Sequence, residues 1–96
     1  MKVGDIFCAT WGYEQTNWTF FKVVKISKTM ATLQKLKNNH DEIPGAMRGT
    51  VVPSDQADGK PIRRKILDYS EPMFKIESYM FARPWDGQPK QFTSYA

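Results

Sequence analysis

Trp18–Ser27 reads WTFFKVVKIS, and this stretch decides the fold. β-branched and aromatic residues fill it and strong helix formers are few, which is the composition of a strand. Simple alternation breaks at Phe20–Phe21 and at Val23–Val24, where apolar groups fall on both faces. A strand covered on both sides, or one with a bulge between Phe21 and Val24, has this pattern. Strongly bent strands of small barrels combine the two.

On its N-terminal side, Gly4–Asp5 is a turn signal. Ile6 to Trp11 then alternates Ile6, Cys8 and Thr10 against Phe7, Ala9 and Trp11, the period of a strand. Gly12 to Asn17 is a polar turn. On the C-terminal side, Met30 to Lys37 (MATLQKLK) tolerates a helix by composition. It is short and follows a strand after a tight connection, so it reads as a third strand hairpinned to the second. Asn38 to Gly49 reads as a loop, with Asn38-Asn39-His40-Asp41 and Pro44–Gly45 as breakers. Thr50–Val52 is a short strand stopped by Pro53, and Ser54 to Gly59 is a polar turn ending in Asp58–Gly59. Pro61 to Tyr69 sets Ile62, Arg64 and Ile66 against Arg63, Lys65 and Leu67, a strand with its basic groups split between faces. Ser70 to Pro72 turns. Met73 to Phe81 alternates cleanly as one half-buried strand. Arg83–Pro84 ends it, Asp86–Gly87 turns, and Lys90 to Tyr95 is a last short strand. Six or seven short strands separated by Gly, Pro and Asn turns predict an all-β fold. The rhythm of VGDIF, FFKVVKIS and ATLQKL fits a small SH3-like β-barrel of about six strands, with an OB-like barrel or a small β-sandwich as the alternatives.

Ninety-six residues form one domain with one modest core. A hydrophobic content of 41% and an aromatic content of 14% support a packed chain. No apolar run is long enough for a membrane span, and MKVGDIF lacks the apolar stretch of a signal peptide. A cytoplasmic site and no membrane partner are therefore expected. Cys8 is the single cysteine, so no internal disulfide forms. The net charge is +4, and its distribution is uneven. Lys22, Lys25, Lys28, Lys35 and Lys37 occupy a stretch without carboxylates. Asp41, Glu42, Asp55 and Asp58 follow, and then Lys60, Arg63, Arg64 and Lys65. Such blocks point to one basic surface. Solvated lysines that deter strand edges from pairing account for them equally.

Catalytic chemistry leaves no trace in the residues. His40 lies among Asn38, Asn39 and Asp41 with no nucleophile and orienting group in view. Cys8 sits mid-strand as a small apolar filler. One cysteine and one histidine do not make a zinc site, and no Gly-rich phosphate loop is present. No cofactor and no metal are expected. A metal-free ribonuclease built on Arg, Ser and Thr stays open, because such sites leave little sequence signature.

Recognition chemistry is better represented. Single-strand binders join aromatic platforms to a positive groove. Trp11, Tyr13 and Trp85 flank turns and could stack on bases, while Lys22, Lys25, Arg63 and Arg64 could contact phosphates. Aromatic and basic residues interleave at Phe20-Phe21-Lys22 and at Tyr79-x-Phe81-x-Arg83. The competing account places most of the aromatics in the core. A second candidate is the Tyr13-Glu14-Gln15-Thr16-Asn17 loop together with Asp86, polar groups between aromatics that fit a protein partner or a small ligand. Local hydrogen bonding that merely stabilises the turn explains the same residues.

Trp11-Gly12-Tyr13-Glu14-Gln15-Thr16-Asn17, Phe20-Phe21, Val23-Val24-Lys25, Pro61 with Arg63-Arg64-Lys65, Trp85-Asp86-Gly87, Pro89-Lys90 and Thr93-Ser94-Tyr95-Ala96 span nearly the whole chain. As a set they resemble a group of small uncharacterised bacteriophage and prophage proteins. Glu14 stands where that group has Asp. The resemblance implies a phage origin and the cytoplasm of a bacterial host. It brings no activity with it: small phage accessory proteins often work stoichiometrically, by binding nucleic acid, a host enzyme or a defence component, and the basic and aromatic residues above favour a non-catalytic accessory protein that binds nucleic acid. The alternative is an anti-defence inhibitor that binds a host protein or sequesters a signalling nucleotide.

Overall fold

Phe20 and Phe21 are consecutive and both buried, yet they belong to different hydrophobic cores. Successive side chains of a strand leave opposite faces, so a strand with both residues buried must be covered on both sides. The computed structural model describes residues 1–11, 17–42, 48–68 and 70–93. They form nine strands and, among the described residues, no helix: β1 (Ile6–Trp11), β2 (Asn17–Ile26), β3 (Met30–Glu42), β4 (Arg48–Ala57), β5 (Ile62–Lys65), β6 (Leu67–Asp68), β7 (Pro72–Glu77), β8 (Met80–Pro84) and β9 (Lys90–Thr93). The sheet runs β6-β7-β8-β1-β2-β3-β4-β9, with β5 paired to β3 off this path. Every pairing is antiparallel.

β1, β2 and β3 are the shared centre. Their first face carries Phe7, Ala9, Phe21, Val23, Ala31 and Leu33, which meet Phe74, Ile76, Met80 and Ala82 of β7 and β8. Phe7 and Phe74 pack edge to face, 4.9 Å between centroids, the geometry that aromatic quadrupoles favour. The second face carries Cys8, Phe20 and Leu36, which meet Val51 of β4, with Ile6, Trp18 and Trp85 around them. The Trp18 indole N–H donates to the Gln91 carbonyl at 2.8 Å, tying β2 to β9 over this second core.

The sheet curls over each core without closing around it. Among the described residues no ladder joins β9 to β8. On the other face β5 and β7 are linked by a side chain, Arg64 Nη2 donating to the Ile76 carbonyl at 3.4 Å. The architecture is thus all-β and a single antiparallel sheet, elongated at 47 × 25 × 23 Å, in place of the closed barrel that strand spacing predicts.

Several segments differ from expectation: Ser54–Ala57, read as part of a polar turn, belongs to β4, and Pro61–Tyr69, read as one strand, divides into β5 and β6 around Ile66. Asn38–Glu42, read as loop, continues β3, with Asn39 opposite Val52 and His40 opposite Val51. Its turn-forming amide is occupied: Asn38 Nδ2 donates to the Trp18 carbonyl at 2.8 Å. Pro53 does not stop the next strand but lies within β4, opposite Asn38 and beside a register shift, a position where a missing backbone N–H is tolerated. Met73–Phe81 is not one strand. It turns at Ser78–Tyr79, and Phe74 pairs with Ala82 and Lys75 with Phe81. The expected Asp58–Gly59 and Asp86–Gly87 turns do contain left-handed glycines, Gly59 at φ +82 and Gly87 at φ +84, as tight reversals require. Residues 43–47 of the expected loop and residues 94–96 lie outside the described residues.

Candidate nucleic-acid interface

Beyond the second core, the same face of the sheet turns basic. Residues paired across antiparallel strands share a face. Lys22 is opposite Ile6 and Gln34. Lys25 is opposite Thr32, which is opposite Arg63, and Lys65 is opposite Met30. A register shift between Val23 and Lys25 makes this possible. It absorbs Val24 as an extra residue; without it Lys25 would follow Val23 into the first core. Lys22, Lys25, Arg63 and Lys65 are all exposed. The ion pairs among the described residues are Lys35–Asp58 and Lys90–Asp86, so the four cations on this face carry no carboxylate partner. Arg63 has one weak contact, Nη2 to Met30 Sδ at 3.9 Å.

Arg64, expected beside Arg63 as a phosphate contact, faces the other way. It is half-buried opposite Ala31, and its guanidinium donates to the carbonyls of Arg63 at 2.8 Å and Ile76 at 3.4 Å. It clasps β5 to β7. Trp85, expected as an exposed platform, is half-buried and packs edge-on against Phe20 at 5.6 Å. Its indole N–H donates to the Gln88 carbonyl at 2.8 Å. Its backbone N–H donates to Ile6, which places it at the rim of the row that contains Lys22. The Asp86 carboxylate accepts from the Gln88 backbone N–H at 3.0 Å and from Lys90 Nζ at 3.1 Å. These bonds, the backbone one first, hold its carboxyl below the ordinary carboxylate range, and they commit Asp86 to its own turn. Asn17 is half-buried opposite Trp11. The side chain of Trp11 and all of Tyr13, Glu14, Gln15 and Thr16 lie outside the described residues, as does the His40 side chain.

A cleft of about 470 Å³ lies where β8 and β9 fail to meet. It is lined by Cys8 and Thr10 of β1, Trp18 of β2, Tyr79, Phe81, Arg83 and Pro84 in and before β8, Lys90 of β9, and Glu71. Lys90 Nζ stands 5.4 Å from the centre of the Trp18 ring, within cation–π range. Burial pushes the Cys8 thiol up, against the pull of Lys90. Among the described residues no three His, Cys, Asp or Glu side chains gather as metal ligands, and no helix is long and apolar enough to cross a membrane. Trp18, Phe81 and Arg83 belong to the wider set of aromatic and basic residues in the sequence but not to the site expected from it, and Lys90 belongs to neither. The signal for two of them was the alternation Tyr79-x-Phe81-x-Arg83, which puts three large side chains on one face of a strand end. Comparison with protein-family models, with curated proteins and with solved structures found no match to this chain.

Proposed function

We propose that this chain is a non-catalytic phage accessory protein that binds nucleic acid through the second face of its sheet, in the cytoplasm of a bacterial host. The observation that carries the reading is the row Lys22, Lys25, Arg63 and Lys65: four exposed cations on one face, none paired with a carboxylate among the described residues. Cations held on a rigid sheet meet phosphates without first breaking an ion pair, and each phosphate neutralised releases condensed counterions. Thr32, half-buried between them, adds a hydroxyl for sugar and phosphate oxygens. Trp85 borders the row. The strands around the first core, β7-β8-β1-β2-β3 with β5, are the part to which the SH3-like plan applies in this reading.

The test is fluorescence anisotropy with labelled single-stranded and duplex DNA and RNA at low and at physiological salt. Binding that weakens steeply with salt, and that is lost when Lys22, Lys25, Arg63 and Lys65 all become glutamine, is the expected result. No binding at low salt overturns the proposal. A stoichiometric host protein that stays bound through nuclease treatment and high salt would replace it with the anti-defence reading.

A further inference from the structure

We infer that the cleft between β8 and β9 receives one unpaired base with its phosphate, so that the protein selects single strands over duplex. The inference rests on the nucleic-acid reading above and adds the chemistry of a second contact.

Three observations converge. First, Tyr79 and Phe81 are 70% and 41% exposed and line the cleft together with Trp18, although the same chain buries Phe7, Phe20, Phe21 and Phe74 almost completely. Aromatic faces left open next to a concavity are what stacking recognition needs, and any base has a π-face to offer. Second, Arg83 lines the cleft and, among the described residues, has neither a hydrogen bond nor an ion pair. Its guanidinium is free for a bidentate phosphate contact. Lys90, by contrast, is held by Asp86 at 3.1 Å and supports the Trp18 ring. Third, Glu71 also lines the cleft. A carboxylate there repels a continuous run of phosphates and limits the site to the charge of one nucleotide, set at Arg83. The volume of about 470 Å³ lies within the ordinary range for small-ligand sites.

Thr10 and Trp18 are opposite one another, as are Cys8 and Phe20, then Ile6 and Lys22. The cleft and the basic row therefore share one face of β1 and β2. A strand whose backbone lies along the lysines can turn one base into the cleft. A duplex cannot, because its bases are already stacked and paired.

The test compares a single-stranded oligonucleotide with the duplex of the same sequence, by anisotropy, for the parent protein, Phe81→Ala and Arg83→Gln. The parent should prefer the single strand. Phe81→Ala should weaken single-strand binding by about 5- to 150-fold, the range for one base–aromatic stack, and leave duplex binding and the melting temperature unchanged. Arg83→Gln should act in the same direction on a differently shaped contact. If single strand and duplex bind alike, with steep salt dependence and no response to either variant, the cleft inference is overturned and the basic face stands. If neither nucleic acid binds at low salt, both fail together.

Discussion

Replacing Arg63 and Arg64 one at a time by glutamine separates binding from folding at adjacent positions. Arg63 stands on the basic face with Lys22, Lys25 and Lys65, whereas Arg64 faces the first core. For a single strand the slope of log K against log salt is about −0.7 per phosphate contacted, so four cations give roughly −3, or about 50-fold weaker binding between 50 and 200 mM salt. Arg63→Gln should bring the slope to about −2, and the loss over the same range to about 20-fold. Its stability should stay within about 0.5 kcal/mol of the parent, as for an exposed side chain. Arg64→Gln should leave the slope unchanged. Glutamine is too short to donate to both the Arg63 and Ile76 carbonyls, and losing those charge-assisted bonds at a half-exposed site costs about 1–2 kcal/mol. In a domain of this size that lowers the melting temperature by roughly 5–15 °C. Anisotropy across a salt series and thermal unfolding by circular dichroism read the two effects. An Arg64→Gln slope that falls as far as that of Arg63→Gln, or an unchanged slope for Arg63→Gln, would refute the assignment of faces.

Phe74→Ala empties a fully buried site against Phe7 and should cost about 3–5 kcal/mol in urea unfolding, a large part of the roughly 5–14 kcal/mol available to a chain this long. Gly59→Ala should cost about 1–2 kcal/mol, entirely from backbone strain, because φ is +82 and nothing lies within 4 Å of the added methyl group. A neutral result would mean that the β4–β5 turn is not left-handed. Asp86 has a lowered carboxyl pKa in the folded state. Its contribution to stability is present above the unfolded-state value and is lost as pH falls through the folded one. Asp86→Asn should therefore flatten the acid limb of the stability profile below the ordinary carboxylate range, and carboxyl NMR of the parent should show Asp86 titrating below its exposed neighbours.

What was legible in the chain was local. Ile6–Trp11 coincides with β1, and its two alternating sets go to the two cores, Phe7 and Ala9 to one and Cys8 to the other. The break at Val23–Val24 marks the bulge. The split of Arg63 from Arg64 follows directly from strand parity. What was hidden depends on partners remote in sequence. Asn38–Glu42 has the composition of a loop, and only its ladder with Gly49 to Pro53 of β4 holds it extended. The Ser78–Tyr79 turn is invisible to periodicity because Phe74 pairs with Ala82 and Lys75 with Phe81. A register shift sets Glu77 opposite Met80 nearer the turn, and Phe74, Ile76, Met80 and Ala82 are all buried, so the even-numbered positions stay inside on both arms and the alternation runs unbroken through the reversal. Trp85 flanks a turn, which suggested exposure, but Phe20 across the sheet offers it an apolar surface. The cleft exists only because β8 and β9 remain apart, which is a property of the whole sheet and of no single segment.

The shared strands also set how the molecule comes apart. Phe21 and Val23 of β2 anchor one core and Phe20 the other, so neither half can melt and leave β2 in place for its neighbour. β1–β2–β3 should form one cooperative unit with the slowest amide hydrogen exchange in the chain, while β6 and β9, each paired on one side only, open first. Lys90 rides on one of those fraying ends and Lys22 on the most protected strand. Local opening would therefore widen the cleft while Lys22 and Lys25 hold their spacing on β2.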